Sequence, residues 1–429
     1  MEKRTYPALG EQVYWSKLPN GLNIVVIPRP GFSKKMAYYV TDFGAIHTEF
    51  TLDGKAYSVP AGIAHFLEHK MFDLPGRDVS AEFALLGAAP NAFTSYDMTA
   101  YYFSTTENFE ESLKLLLEFV STPYFTEESV AKEQGIIGQE IGMYEDNPDS
   151  RVFENLMTIM YENHPIKYPI LGTKETIAQI TPELLYACHK AFYRPGNMFL
   201  CVVGDVSPET VELIAMEKLP AIDTTVVTRV ERWEESMKTP EKLVETTMEV
   251  AMPMFQLGFK SHSPEKGEAA VVRETVGELA AEALFGESSR LYLRLYEEGI
   301  IDSSFAGGFE TVEGAALLTA SGDSDYPEQV KTAILQEAER ILAEGIDEND
   351  FLRMKRSALG RRIRDLDGFS GTAFRTCAYF FSQYDFFEFP EAFKKVTAQD
   401  LLDFIRETVT EEGCSLSIVY PKEEQHESQ

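Results

Sequence analysis

Two rhythms of apolar and polar positions trade places along this chain. Strand patterns cover Gly21 to Ile27, Met36 to Thr41 and the long alternating stretch Asn91 to Thr105. Helical spacing marks Val79 to Leu86, Phe109 to Val120, Glu127 to Glu145 and Pro182 to Phe192, with Asn147-Pro148 as the stop after the third. An apolar strand, Asn197 to Val203, then closes at Gly204. Residues 221–245 are polar with a modest β signal around Trp233, and predict an extended linker.

Past that linker the order repeats. A strand over Met248 to Phe259 leads to helices Gly267 to Phe285 and Ser288 to Glu298, then one or two strands within Phe305 to Ser321. Helices follow at Glu328 to Leu342, Glu348 to Asp365 and Thr397 to Val409, and the strand Cys414 to Tyr420 ends the pattern. The final helix and strand echo the pair that closes the first half. The expectation is an α+β chain of two similar domains, residues 1–220 and 246–429, joined by the linker.

Composition narrows the classes. With 429 residues, 44% hydrophobic and 25% charged, the chain suits a soluble protein of more than one domain. A net charge of −30 disfavours nucleic acid and anionic membranes as partners, and an acidic cleft would favour neutral or basic ligands. No apolar leader or spanning segment is visible, and Cys188, Cys201, Cys377 and Cys414 are scattered without a paired motif. A cytoplasmic location is the expectation.

The chemistry concentrates at His65-Phe66-Leu67-Glu68-His69, inside the apolar run Gly62 to Phe72. On a helix, His65, Glu68 and His69 share one face, so two imidazoles can hold one zinc ion and the carboxylate can reach a water beside it. A catalytic zinc needs a third protein ligand. Glu133 and Glu140 lie seven residues apart on the helix Glu127 to Glu145 and share a face, so one can ligate while the other accepts the outer N–H of an imidazole. Among the five remaining histidines, His47, His164, His189 and His262 have no partner at ligand spacing and read as packing or surface residues.

Leu18-Pro19-Asn20-Gly21-Leu22, the His65–His69 motif, Asn91-Ala92-Phe93-Thr94-Ser95 and the Glu133–Glu140 segment occur in the order found in pitrilysin-type (inverzincin) zinc metallopeptidases, which the chain resembles through both halves. The resemblance implies two pitrilysin-like α/β domains, each a mostly antiparallel sheet packed with helices. It implies Zn2+ held by His65, His69 and Glu140, Glu68 as general base, and Glu133 supporting a ligand. It also implies that Asn91, Ala92, Phe93 and Thr94 belong to an edge strand that binds an extended peptide or unfolded protein by adding it to the sheet.

One departure changes that picture. Where the family carries an Arg and, seven residues later, a Tyr that grip substrate, this chain has Tyr296 and Ser303. Arg294 has Ile301 seven residues on, so a shifted register restores nothing. Short members of the family work as heterodimers, which implies a homologous partner without zinc that carries the Arg and Tyr. The chain resembles a bacterial sub-branch associated with elongation factor P modification. Zinc endopeptidase is therefore the first expectation, and a non-catalytic scaffold or assembly subunit of the same fold is the second.

Overall fold

A computed structural model describes residues 1–230 and 233–422; Glu231 and Arg232 of the expected linker, and residues 423–429 of the expected second domain, lie outside the described residues. The chain packs as two compact units. The first comprises Met1–Ile141, Pro169–Val230 and Arg362–Pro390; the second comprises Gly142–Tyr168 with the described residues of Glu231–Arg361 and Glu391–Gln429. Packing thus crosses the linear division at residues 221–245 in two places, since residues 142–168 join the second unit and 362–390 the first.

The first unit is built on a seven-stranded sheet. From one edge the strands run Ala89–Thr94, Thr99–Thr105, Lys35–Thr41, Met198–Gly204, Asn23–Pro28, Glu11–Lys17 and Glu2–Tyr6. All neighbours are antiparallel except Met198–Gly204 with Asn23–Pro28. Met198–Gly204 is buried at every position, as a central strand covered on both faces must be. Tyr39, Tyr101 and Leu200 join the core shared with the motif helix, whereas Tyr38 and Phe199 meet helix Phe369–Phe381 on the other face. Phe199 stacks on Phe380 with ring centroids 4.0 Å apart, and the Tyr38 hydroxyl lies 2.7 Å from Ser370 Oγ.

The second unit repeats this plan with a five-stranded sheet ordered Leu243–Met248, Cys414–Pro421, Met254–Ser261, Ala315–Asp323 and Ala306–Val312. Its one parallel pair, Leu243–Met248 with Cys414–Pro421, stands where Asn23–Pro28 and Met198–Gly204 stand in the first sheet. Two similar α+β units are therefore present as the patterning implied, each a mostly antiparallel sheet with helices as the resemblance implied.

Several boundaries differ from the sequence reading. Asn91 to Thr105 is a hairpin of two strands, because Ser95 turns the chain: its Oγ donates to Asp97 Oδ1 at 2.9 Å and accepts from the Met98 N–H at 3.1 Å. Met248 to Phe259 is likewise two strands, Leu243–Met248 and Met254–Ser261, separated at Met252-Pro253, where proline has no N–H for a ladder. Helix Pro148–Met160 starts immediately after the expected stop, since the Asn147 side chain caps it by accepting from the Ser150 N–H at 3.0 Å.

The motif helix, Ile63–Met71, is buried almost all round and packs against the edge strand Ala89–Thr94. Gly62 precedes it at φ 93°, and a Cβ there would lie 2.4 Å from the Leu171 carbonyl oxygen. Glycine is what lets the helix start under the 169–172 loop. Gly62→Ala is expected to cost about 2 kcal/mol or more through the positive φ and this clash, seen as a lower thermal midpoint; an unchanged midpoint would contradict the close approach.

Candidate metal centre

One turn of the motif helix separates His65 from His69, and their ring centroids are 4.5 Å apart. The helix Glu127–Glu145 brings up the carboxylates. Glu140 Oε1 lies 3.8 Å from His65 Nε2, and Glu140 Oε2 lies 3.6 Å from His69 Nε2. One donor atom from each of His65, His69 and Glu140 falls within 4.8 Å of the other two. Tetrahedral zinc with bonds of about 2.1 Å spaces its ligands roughly 3.4 Å apart, so a modest inward movement of the side chains fits this set to the ion.

Glu133 takes the outer position. Its Oε1 lies 3.0 Å from His69 Nδ1, which fixes the tautomer with the proton on Nδ1 and the Nε2 lone pair turned toward Glu140. Burial works to lower the His69 pKa, but the Glu133 hydrogen bond and the surrounding carboxylates outweigh it and hold the ring above its ordinary value. His65 behaves oppositely: burial, helped by neighbouring His69, pushes it down to about 3, so the ring is neutral and its lone pair is free to ligate. His65 Nδ1 is buried without a hydrogen-bond partner among the described residues.

Glu68 stands between the two histidines and is 8% exposed. The Thr94 hydroxyl donates to Glu68 Oε2 at 2.6 Å, and no hydrogen bond to Oε1 is found among the described residues. Burial raises the Glu68 pKa against the opposing pull of the Thr94 hydrogen bond, which makes the carboxylate a stronger proton acceptor than an exposed one.

Asn91, Ala92, Phe93 and Thr94 form the edge of the sheet, paired on one side only with Thr99–Thr105. Pro90 is tolerated in this strand because an edge position needs no second ladder. Asn91 Oδ1 accepts from the Ala92 N–H at 2.8 Å. Thr94 faces Glu68, and Phe93 turns to the other side, into an aromatic cleft of about 480 Å³ lined with Tyr38, Tyr102, Phe374 and Arg375. Sequence reasoning missed Phe374 and Arg375, which come from helix Phe369–Phe381, hundreds of positions from the strand. It also missed the Thr94 hydroxyl, whose contact depends on how the strand seats against the motif helix.

Three of the other histidines have structural partners. His47 Nδ1 accepts from the Gly44 N–H at 2.9 Å, and His164 and His189 ring nitrogens lie 2.8 and 3.1 Å from the carbonyl oxygens of Glu313 and Val120. Tyr296, where the resemblance implies an Arg, is half-exposed and stacks on Tyr292 at 5.8 Å. Among the described residues no helix is long and apolar enough to cross a membrane.

Residues 55–174 match the insulinase family (peptidase family M16), and residues 179–358 match the peptidase M16 inactive domain. The uncharacterized zinc protease YmfH of Bacillus subtilis is 38% identical over 428 residues, covering 97% of this chain and 98% of that protein. The chain belongs to peptidase family M16, the pitrilysin-type peptidases. An M16-like peptidase from Alicyclobacillus acidocaldarius has the same fold at a TM-score of 0.91 and 31% identity, over 96% of this chain and 98% of that one. A protease from Helicobacter pylori shares the M16 fold at a TM-score of 0.80 with 19% identity, over 96% and 100% of the two chains. The M16 domain matched at 55–174 holds the whole His65–Glu140 cluster, and the stretch 179–358 has no second His-x-x-Glu-His.

The opposite environments of the two imidazoles predict a clear titration pattern. In metal-free protein followed by nitrogen-detected NMR, His65 should titrate far below the ordinary histidine value, near 3, while His69 should gain its proton above that value. A His69 midpoint below the ordinary value would contradict the Glu133 contact.

Proposed function

We propose that this chain is a zinc-dependent endopeptidase that cleaves extended peptides or unfolded protein. The observation that carries the reading is the convergence of His65, His69 and Glu140 within 4.8 Å of one another, beside a Glu68 carboxylate tied to the edge strand through Thr94. A purely structural site needs ligands but no adjacent base, so Glu68 favours catalysis.

His65, His69 and Glu140 would hold a zinc ion, which would supply Lewis acidity to lower the pKa of water to about 7 and polarise a carbonyl. Glu68 takes the proton of the attacking water on a carboxylate oxygen and returns it to the nitrogen of the leaving amine. Glu133 holds His69 in the tautomer that ligates. The main chain of Asn91 to Thr94 pairs with the substrate as an added strand and releases the Asn91 side chain from the Ala92 N–H. Alternate substrate side chains then point toward Glu68 and toward the Phe93 cleft.

The partner reading rests on Tyr296 and Ser303, which leave the family's Arg and Tyr positions without their donors. We read the chain as the zinc-bearing subunit of a heterodimer whose homologous partner supplies that pair, worth about 10²–10³ in rate for one oxyanion donor. The same two residues favour the second reading, a scaffold or assembly subunit of the cytoplasm, which is where a link to elongation factor P modification would belong. The deciding experiment offers a mixed library of unstructured peptides to the zinc-loaded chain, with Glu68→Gln as the blank. Cleavage falling by about 10²–10⁴-fold in Glu68→Gln, with zinc retained, is the expected result. Equal cleavage by both proteins would refute the role of Glu68, and turnover by the chain alone that matches a reconstituted pair would refute the heterodimer.

A further inference from the structure

Thr94 joins two parts of the site that serve different purposes. Its backbone belongs to the unpaired edge of the sheet, and its hydroxyl donates to Glu68 Oε2 at 2.6 Å. Directly opposite on the hairpin stands Thr99, fully buried, which donates to the Phe43 carbonyl oxygen at 2.8 Å and approaches Thr94 Oγ1 at 3.4 Å. A threonine hydroxyl carries one proton: that of Thr99 goes to the Phe43 carbonyl, and that of Thr94 goes to the Glu68 carboxylate, which accepts it. Threonine is stiff at χ1, so once the strand is placed the hydroxyl is placed too. Glu68 has a longer, freer side chain and, at 8% exposure, little water to replace a lost partner.

We propose that Thr94 is a positioning residue for Glu68, so that the strand on which a peptide docks also sets the orientation of the carboxylate that moves the proton. This rests on the peptidase reading. A substrate strand pulling on the edge acts on Glu68 through one hydrogen bond, whereas a change confined to peptide pairing leaves that bond intact.

The test compares zinc-loaded wild type, Thr94→Val and Thr94→Ser by steady-state kinetics, zinc content and crystal structures. Valine keeps the shape and stiffness of threonine without the hydroxyl; serine keeps the hydroxyl. The expected result for Thr94→Val is a kcat lower by about 10- to 100-fold, in line with a small misplacement of a catalytic group, with KM within about twofold and zinc unchanged. Thr94→Ser should recover most of the kcat. In the crystal structures Glu68 should hold one rotamer in wild type and Thr94→Ser, and more than one in Thr94→Val. A wild-type kcat in Thr94→Val, or a loss confined to KM, would overturn the proposal. If wild type cleaves nothing, the peptidase reading fails separately, and a single unchanged Glu68 rotamer in Thr94→Val overturns the positioning claim without reference to activity.

Discussion

Three carboxylates and two imidazoles crowd together where the motif helix meets the helix Glu127–Glu145, and the fold is organised around holding them there. Glu68 and His65 are almost fully buried, and charged forms of such groups are costly without close partners. Each contact in the cluster answers that cost in part: Glu133 takes the outer N–H of His69, and Thr94 satisfies one oxygen of Glu68. In the proposed function, a divalent cation among His65, His69 and Glu140 would be the counter-charge that reconciles the rest. The rigid backing comes from the apolar side of the motif helix, where Phe66 and Leu67 are fully buried, and from Gly62, which admits the helix start beneath Leu171.

Most of this cluster was legible in the sequence because helices make local geometry. His65, Glu68 and His69 could be placed on one face from spacing alone, and Glu133 and Glu140 from a seven-residue interval, although spacing left open which of the two would face the imidazoles. The less legible parts depend on contacts between distant segments. The hairpin inside Asn91–Thr105 hinges on the Ser95 side chain making its own turn, so alternation continued across a break in the strand. Helix Phe369–Phe381 is hidden by its Gly, Ser and Thr residues, which weaken a helical signal until the sheet face it covers is known. The Thr94–Glu68 bond needs the register of the hairpin and its height over the motif helix, neither of which any single segment encodes.

The repeated strand order of the two sheets makes the division of chemistry plain. Both units carry one parallel pair and an outer hairpin at the opposite edge, yet the His-x-x-Glu-His sequence occurs once in the chain, on the helix packed against the edge strand of the first. The same scaffold can thus hold a metal in one copy and be free of it in the other, with function resting on a few side chains grafted at one sheet edge. Tyr296 and Ser303, which stand where the resemblance implies an Arg and a Tyr, are what the proposed heterodimer rests on.

The most direct test of the account is zinc K-edge X-ray absorption on the zinc-loaded chain, with zinc content measured on the same sample. The account predicts one zinc per chain, with two imidazole nitrogens at about 2.0–2.1 Å and carboxylate oxygen at about 2.0–2.2 Å, and loss of the site in His69→Ala. Sulfur in the coordination sphere, or stoichiometric zinc that survives His69→Ala, would place the metal elsewhere and contradict the assignment of His65, His69 and Glu140.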